Sequence, residues 1–412
     1  MSEHFALVIV GGGVGGASLA TAAARAGLAA LVLEKSTVYR DHVRGEWIAP
    51  WGVIELRELG LYDAAIAGGG HHLSRNQILD AEAPLDEAML QAIDMTLLVP
   101  DVPGPLCLRH PDLCQILLDQ AALAGVDVRR GVDDVQLTPG PRPRVAYQRE
   151  GARHEVEARL VVGADGRGSV VRRQAGITLE RDPTHHLFGG MLIEGADGWP
   201  ADLQVIGSAG DVHFLVFPQG RGRVRLYLGY ASEQARRFAG ANGPQAFLDA
   251  FRLDCVPGSE HLAGARPAGP CNSYPNEDTW TDRVAQDGLV LIGDAAGSND
   301  PIIGQGLSIT LRDVHLVRDA LLGEREWTPR IFEPYAAERA ERMRRLRFVA
   351  TLVSALQNEF GPGASERRRR VHALRMEDPS SILPLMAAFI GPGNLPAEAF
   401  EEAAGERFLA SG

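Results

Sequence analysis

The N-terminal segment constrains the fold of this chain more than any other stretch of its sequence. An uninterrupted apolar run, Phe5 to Val10, is followed by the glycines Gly11, Gly13 and Gly16 and then by small residues from Ala17 to about Ala26. The apolar run predicts a strand buried on both faces of a parallel sheet, and the small residues predict a helix. A strand, a glycine-rich turn and a helix in this order predict a dinucleotide-binding βαβ unit.

Each glycine of this turn has a mechanical reason. Gly11 makes the tight turn, Gly13 lets a pyrophosphate approach the backbone, and Gly16 lets the helix and the strand pack closely. The helix N-terminus then offers free N–H groups and the positive end of its dipole to the diphosphate.

An acidic residue completes the pattern about twenty residues later. A second apolar strand, Ala29 to Leu33, ends at Glu34, whose carboxylate can accept both hydroxyls of an adenosine ribose. Glu34 also disfavours the 2′-phosphate of NADP, because two negative groups would meet. The remaining cofactors are FAD and NAD, and we expect Lys35 to lie beside the same ribose.

A second glycine-rich turn follows a second buried strand, Leu289 to Ile292, near the other end of the chain. Its residues, together with the helix that follows them, predict another site for a cofactor: Gly293, Asp294, Pro301, Gly304 and Gly306. FAD needs such a site because it carries a ribityl chain and an isoalloxazine ring beyond its pyrophosphate.

Each part of the second turn has an expected role. We expect Asp294 to hold a ribityl hydroxyl and Pro301 to hold the turn, so that Gly304 and Gly306 lie against the ring. The dipole of the following helix would face the ring edge that carries negative charge in the reduced flavin.

The strand Leu160 to Val162 runs into a third motif, Asp165-Gly166. In order and spacing, the three motifs resemble those of the class A FAD-dependent monooxygenases, the aromatic hydroxylases similar to para-hydroxybenzoate hydroxylase, across roughly residues 5 to 325. The resemblance implies that Asp165 and Gly166 serve FAD and NAD(P)H binding. It also implies that Arg44 and Arg109 contact the cofactor.

The predicted fold is α/β, with a Rossmann-like FAD-binding domain, an inserted antiparallel-sheet substrate domain and C-terminal helices. We assign residues 1–75, 100–180 and 283–330 to the FAD-binding domain and residues 76–99 and 181–282 to the substrate domain. Residues 331–412 form a C-terminal helical region, whose basic run Arg367 to Arg370 we interpret as solvated or dimer-facing surface.

Short alternating segments between residues 185 and 230 predict antiparallel strands. Alternation places His213, Leu215 and Phe217 on one face, which should cover a cavity. With these three, we take His72 and Tyr227 as candidates to line the substrate site. We assign no catalytic base: His71, His72, His213 or Tyr227 could accept a phenolic proton, but for each of them a role as a loop, hinge or sheet residue is the more frequent one.

Composition excludes several kinds of partner. A formal charge of −12 argues against nucleic acid. The four cysteines show no metal or disulfide spacing, and we expect no metal site. No apolar run is long enough to span a membrane, and nothing resembles a signal peptide. We therefore expect a cytoplasmic monomer or homodimer.

The resemblance implies a monooxygenase that uses transient NAD(P)H and O2 to hydroxylate or epoxidise an electron-rich, aromatic or polyketide-like small molecule through a flavin C4a-hydroperoxide. Two alternatives stay open: an FAD-dependent alkene reductase similar to geranylgeranyl reductases, and a non-enzymatic flavin-binding redox sensor. A flavin-dependent halogenase needs an active-site lysine. The only lysine in this sequence, Lys35, adjoins Glu34, the carboxylate expected to bind the ribose, which argues against a halogenase. The substrate and the choice between NADH and NADPH are not determined by the sequence.

Overall fold

The computed structural model describes residues 3–43, 45–81, 85 and 92–409. Its strands, in chain order, are β1 (Glu3–Val10), β2 (Ala30–Glu34), β3 (Trp47–Ile48), β4 (His71–His72), β5 (Arg75–Asp80), β6 (Ile93–Asp94), β7 (Leu106–Cys107), β8 (Asp127–Arg130), β9 (Asp133–Thr138), β10 (Arg144–Arg149), β11 (Ala152–Gly163), β12 (Glu180–Arg181), β13 (His186–Glu194), β14 (Leu203–Ala209), β15 (Val212–Pro218), β16 (Arg223–Ala231), β17 (Arg266–Pro267), β18 (Asn272–Asn276), β19 (Thr279–Trp280), β20 (Ala285–Gln286) and β21 (Leu289–Leu291). The helices are α1 (Val14–Arg25), α2 (Pro50–Glu58), α3 (Tyr62–Ala67), α4 (His110–Leu123), α5 (Val170–Gln174), α6 (Gly243–Asp249), α7 (Ser259–Ala263), α8 (Gly306–Gly323), α9 (Glu333–Gln357), α10 (Pro362–Glu377), α11 (Leu383–Ile390) and α12 (Glu402–Leu409).

A first sheet has the strand order β20-β21-β11-β1-β2-β8, and β10 and β9 extend from β11. Strands β21, β11, β1, β2 and β8 run parallel. The last four residues of β1 and the aliphatic residues of β2 and β21 are buried, as expected for a parallel sheet covered on both faces. Helix α1 begins at Val14, three residues earlier than the small-residue run predicts.

The register of this sheet brings the three predicted motifs together. Val10 of β1 pairs with Gly163 of β11, and Gly163 pairs with Leu291 of β21. Each of these residues stands at the carboxyl end of its strand, so the segments that follow all emerge at one sheet edge. Ligands of open α/β sheets bind at this edge.

A second sheet has the order β17-β13-β16-β15-β14-β5-β6, with β18 also on β13. Its pairs are antiparallel except for β5 and β14. His213, Leu215 and Phe217 of β15 share one face, as the alternation predicts, and Leu215 pairs with Tyr227 and Ile206 on the neighbouring strands. The parallel and antiparallel sheets with their helices confirm the predicted α/β fold.

The C-terminal helices pack against the second sheet. In the predicted basic run, Arg368 is buried and its Nε lies 2.7 Å from Asp80 Oδ2 of β5. The interpretation of the whole run as solvated surface is therefore wrong for Arg368, because a carboxylate on the sheet pairs with it. Across the described ranges, no helix combines the length and apolarity that a membrane crossing requires.

Candidate functional site

A cavity of about 470 Å³ lies where the carboxyl ends of the first sheet meet the second sheet. It is lined by the two glycine turns, the third motif, the segment around β3, the first residue of α4, helices α9 and α11, and the face of the second sheet that presents His213, Leu215 and Phe217. From the predicted set it is lined by Gly13, Gly166, Gly293, Asp294, Pro301, Gly304, Gly306, His213, Leu215, Phe217 and Tyr227.

In the first turn, only one of the three predicted glycines faces open space. A Cβ atom on Gly11, whose φ is +104°, would lie 2.4 Å from the carbonyl oxygen of Ala164, and one on Gly16 would lie 1.9 Å from the carbonyl oxygen of Gly11. A Cβ on Gly13 would meet nothing within 4 Å. Gly11 and Gly16 are therefore required for packing, whereas Gly13 leaves room at the cavity.

Glu34 lies directly behind this turn. Its carboxylate is buried and accepts hydrogen bonds from the backbone N–H of Gly12 at 2.6 Å and of Ser36 at 2.6 Å. These contacts fix the carboxylate beside the turn, at the end of β2. Lys35 is exposed next to it.

The second turn reaches the cavity from the opposite end of the chain. Asp294 lines the cavity and lies 3.4 Å from Arg167 Nε. A Cβ on Gly304, whose φ is +66°, would lie 3.2 Å from the Trp47 ring, and one on Gly306 would meet nothing within 4 Å. Gly306 is the first residue of α8, so the N-terminus of this helix opens onto the cavity.

The N-termini of α1 and α8 lie side by side. A Cβ on Gly15 of α1 would lie only 2.8 Å from Cγ2 of Thr310 on α8. The positive ends of both helix dipoles therefore approach the same cavity, which favours an anionic ligand there.

The aspartate of the third motif has a structural role in this arrangement. Asp165 Oδ1 accepts a hydrogen bond from Ser169 Oγ at 2.5 Å, and Oδ2 accepts one from the N–H of Val170 at 2.6 Å. Its carboxylate thus holds the start of α5 and does not line the cavity. Gly166 and Arg167, the next two residues, do.

Of the two arginines predicted to contact the cofactor, the structure describes Arg109. Arg44 lies outside the described residues. Arg109 precedes α4 and pairs with Asp112 at 3.7 Å, and it is not among the lining residues. Its neighbour His110 does line the cavity and packs against Gly45, with Nδ1 3.1 Å from the carbonyl oxygen of Gly45.

A buried ion cluster links the cavity wall to the second sheet. Arg225 Nε lies 2.5 Å from Glu46 Oε2, and Arg225 Nη2 lies 2.6 Å from Asp41 Oδ2. Burial raises the pKa of Glu46, while the Arg225 guanidinium opposes this shift. Glu46 lines the cavity, so the cluster fixes the segment that precedes Trp47.

The face of the second sheet that presents His213, Leu215 and Phe217 supplies an aromatic wall. Phe217 has its ring centroid 6.3 Å from that of Trp47 and 6.2 Å from that of Tyr227, and Tyr227 lies 6.4 Å from Phe188. Such rings accept a flat apolar ligand. Ile78 of β5 lines the cavity and is 42% exposed, which places an opening beside this strand.

His72 lies away from this wall. Its Nε2 is 3.0 Å from the hydroxyl of Tyr62, and its Nδ1 is 2.9 Å from the carbonyl oxygen of Gly104. It does not line the cavity, because the pairing of β4 with β7 directs it to α3 instead.

A buried polar network lies beneath the second turn. Asn276 Nδ2 donates to Asp300 Oδ1 at 3.0 Å and lies 3.0 Å from His186 Nε2. Burial raises the pKa of Asp300 to about 7 and lowers that of His186 to about 3. Asp300 Oδ1 also accepts the N–H of Ile302, so this network supports the turn at Pro301.

Sequence reasoning missed a large part of the wall. The missed lining residues include Trp47, Asn76, His110, Arg167, Phe188, Val353, Leu356, Gln357, Leu385, Ala388 and Phe389. Those on α9 and α11 carry no local signal, since apolar helix residues are usually core. The segment with Trp47 and Trp51 was visible in the sequence, but only the fold shows that Trp47 lines the cavity, whereas Trp51 does not and donates its indole N–H to Gln305.

The residues at the first sheet's edge fit FAD. Open space at Gly13 and Gly306 and two helix N-termini provide for a diphosphate and a ring in the cavity, and the Glu34 carboxylate, bonded to Gly12 of the first turn, provides for a ribose. Trp47 and the second sheet leave an apolar compartment next to the second turn.

Comparison with known proteins agrees with this geometry. A family model for an FAD binding domain matches residues 4–348. The ubiquinone hydroxylase UbiL of Rhodospirillum rubrum is 27% identical over 415 residues, covering 90% of this chain and 86% of that protein. The 6-methylpretetramide 4-monooxygenase of Streptomyces rimosus is 27% identical and covers 92% of this chain and 90% of its own. A digeranylgeranylglycerophospholipid reductase of Methanopyrus kandleri is 26% identical and covers 75% and 74%.

The fold recurs among solved structures. The para-nitrophenol 4-monooxygenase PnpA of Pseudomonas putida superposes with a TM-score of 0.79 at 18% identity, over 94% of this chain and 97% of that one. The family match, which spans most of the chain, and the cavity at the ends of β1, β11 and β21 lead to one conclusion: this chain belongs to the FAD-binding-domain family of class A FAD-dependent monooxygenases.

Proposed function

We propose that this protein uses NAD(P)H and O2 to hydroxylate or epoxidise an electron-rich, aromatic or polyketide-like small molecule. The observation that carries the proposal is that both glycine turns and an aromatic wall line the same cavity. A cofactor ring held by the second turn would lie beside a flat apolar substrate, which is the arrangement that oxygen transfer requires.

Bound FAD would supply the redox chemistry, by accepting a hydride from NAD(P)H and passing electrons to O2. The chain's residues have the tasks of binding, orientation and exclusion of water. Gly13 and the N-terminus of α1 would receive the diphosphate, and Glu34 the ribose hydroxyls. Gly304 and Gly306 would allow close approach of the ring, and the N-terminus of α8 would stabilise negative charge on the ring's edge.

The substrate would lie against the second sheet. Phe217, Tyr227 and Leu215 offer apolar contact area, and Trp47 closes the space between this sheet and the second turn. No titratable side chain needs to attack the substrate, since the reactive group is the cofactor's. Orientation within the cavity would then decide which carbon is oxidised.

Isotope labelling tests the proposal. The FAD-loaded protein is incubated with NADH or NADPH, ¹⁸O2 and a panel of phenols, naphthols and hydroxylated polycyclic ketones, and products are analysed by mass spectrometry. We expect one ¹⁸O atom per product molecule and NAD(P)H consumption that depends on substrate. Products without ¹⁸O would contradict a monooxygenase.

The alkene-reductase alternative is distinguished in the same experiment. It is kept because archaeal digeranylgeranylglycerophospholipid reductases are also relatives of this chain. A reductase would turn over under argon with an isoprenoid alkene and add two hydrogens, whereas the proposed activity stops without O2.

A further inference from the structure

Asn76 of β5 places a side-chain amide in the wall of the cavity. The residue is 1% exposed, and its Oδ1 accepts a hydrogen bond from Gln204 Nε2 at 2.9 Å. Among the described residues, Asn76 Nδ2 has no hydrogen-bond partner. An amide nitrogen can donate two hydrogen bonds, so a donor is left over in this wall.

The tryptophan beside the second turn fixes which atom of this amide is unpaired. Trp47 Nε1 can only donate, and it lies 3.0 Å from Gln204 Oε1. The amide nitrogen of Gln204 therefore faces Asn76, its pairing partner on β5, and requires an acceptor there. Asn76 supplies its carbonyl oxygen, so the atom that remains unpaired is its nitrogen.

The wall around Asn76 is apolar. Ile78, two residues further along β5, and Leu215 and Phe217 of β15 line the same cavity with hydrocarbon and aromatic groups. Gln219 also has an unpaired amide, but it follows β15, which β14 separates from β5, and it does not line the cavity. A buried donor without an acceptor is costly, and a ligand that brings an acceptor to this position would offset that cost.

We propose that Asn76 Nδ2 donates a hydrogen bond to a neutral carbonyl group of the substrate, and so selects aromatic ketones over hydrocarbons of the same shape. This inference rests on the proposed function, because it names the substrate class of the same cavity. A carbonyl oxygen supplies the missing acceptor without bringing a charge into an apolar wall. Because a carbonyl withdraws electrons from the ring that bears it, this group anchors the substrate, and oxygen transfer takes place at an electron-richer position.

Isotope-edited infrared spectroscopy of a bound ketone measures this hydrogen bond directly. The oxidised FAD-loaded protein, without reductant, is mixed with 2-acetylnaphthalene whose carbonyl carbon is either ¹³C-labelled or unlabelled, and the difference spectrum isolates the carbonyl stretch of the ligand. A hydrogen bond weakens the C=O bond, so we expect the stretch of the bound ketone to lie below its frequency in hexane. Asn76→Leu removes the donor and should raise the stretch towards the hexane value.

Isothermal titration calorimetry on the same FAD-loaded protein provides a second readout. The two probes are 2-acetylnaphthalene and 2-isopropenylnaphthalene, in which a CH2 group replaces the carbonyl oxygen. The preference for the ketone, expressed as the ratio of the two Kd values, should fall about three- to tenfold in Asn76→Leu, the range that one neutral hydrogen bond gives. Phe217→Leu changes the same wall without removing the donor and should keep the wild-type ratio. The wild-type infrared spectrum gives a result even if Asn76→Leu does not fold.

Any of three results would overturn the inference: no binding of the ketone to the wild type, a wild-type carbonyl stretch at its hexane frequency, or a stretch or Kd ratio that Asn76→Leu leaves unchanged. The outcome is independent of the ¹⁸O2 experiment. A hydrogen-bonded ketone without ¹⁸O incorporation into any product would support the site and contradict the monooxygenase, and ¹⁸O incorporation without the hydrogen bond would do the reverse.

Discussion

Arg225 on the second sheet and Glu46 beside the cavity form a bidentate ion pair in the protein interior. Arg225 Nε lies 2.5 Å from Oε2 and Nη2 lies 2.7 Å from Oε1, and the guanidinium is completely buried. Asp41 adds a second carboxylate at 2.6 Å. The segment that leads from β2 to Trp47 is therefore tied to the second sheet by charge, and removal of Arg225 leaves both carboxylates without this partner.

Replacing Arg225 by Met should destabilise the protein strongly. Glu46 and Asp41 would then be buried without a counterion, which typically costs about 3–5 kcal/mol. Urea unfolding at pH 7 measures the loss. The double variant Arg225→Met/Glu46→Gln should recover part of it because one carboxylate charge is gone. An Arg225→Met protein as stable as the wild type would show that the cluster contributes nothing to folding.

Alanine at Gly13 and at Gly16 should have different consequences. A Cβ on Gly16 would overlap the Gly11 carbonyl oxygen, so Gly16→Ala should destabilise the apoprotein. A Cβ on Gly13 meets no protein atom, so Gly13→Ala should fold normally but bind FAD at least about tenfold more weakly, a loss of about 1.4 kcal/mol.

Flavin fluorescence titration and urea unfolding of the apoprotein distinguish the two effects. Gly168→Ala serves as the matched control, because its Cβ also meets nothing within 4 Å and Gly168 does not line the cavity. Unchanged FAD affinity in Gly13→Ala would place the diphosphate elsewhere.

The sequence predicted those parts of the site that follow from local periodicity. The apolar runs that end at Val10 and Ile292 predicted two of the adjoining strand ends, the second to within one residue of Leu291, and alternation predicted the face of β15 that carries His213 and Phe217. Both signals work because a buried strand and a half-buried strand leave different patterns in a short window.

The rest of the site depends on contacts between distant segments. The ion pair of Arg225 and Glu46 joins residues 179 positions apart, and nothing near either residue indicates its partner. Asp165 belongs to a recognisable motif, yet its carboxylate holds the start of α5, a role that a motif does not distinguish from ligand binding. Phe389 lies on an apolar helix whose pattern is the same whether it faces core or cavity.

Asp300 should give the stability of the protein a distinctive pH dependence. Burial raises its pKa to about 7, from about 3.9 in the unfolded chain. The folded state therefore holds a proton that the unfolded state releases between about pH 4 and pH 7. Its contribution to stability is full below pH 4, falls as the pH rises and is lost above pH 7, a change of about 4 kcal/mol.

The comparison of wild type with Asp300→Asn isolates this contribution. Asn keeps an acceptor for the Ile302 N–H but does not titrate, so the difference in unfolding free energy between the two proteins should fall from pH 4 to pH 7. His186 acts in the opposite direction, because its lowered pKa makes folding more favourable as the pH rises to about 6.5. Asp278 raises and Arg167 lowers the pKa of Asp300. His186, Asp278 and Arg167 are present in both the wild type and Asp300→Asn. Parallel pH profiles would contradict a titrating Asp300.

Phe389 on α11 should keep water away from the reacting groups. Its ring meets Trp47 edge-on at a centroid distance of 6.3 Å, and both residues line the cavity. Phe389→Ala would open the wall beside the second turn. Water could then enter, and the activated oxygen would be released as H2O2 before it reached the substrate. We expect NAD(P)H oxidation to continue, with a several-fold higher yield of H2O2 per NAD(P)H and less hydroxylated product. Peroxide and product assays on the same samples measure both.

Leu383→Ala, at the exposed start of the same helix, controls for changes in helix stability and should leave the ratio of peroxide to product unchanged. An unchanged ratio in Phe389→Ala would mean that α11 does not shield the proposed site of oxygen transfer. Trp47 and the second sheet would then exclude water from it without α11.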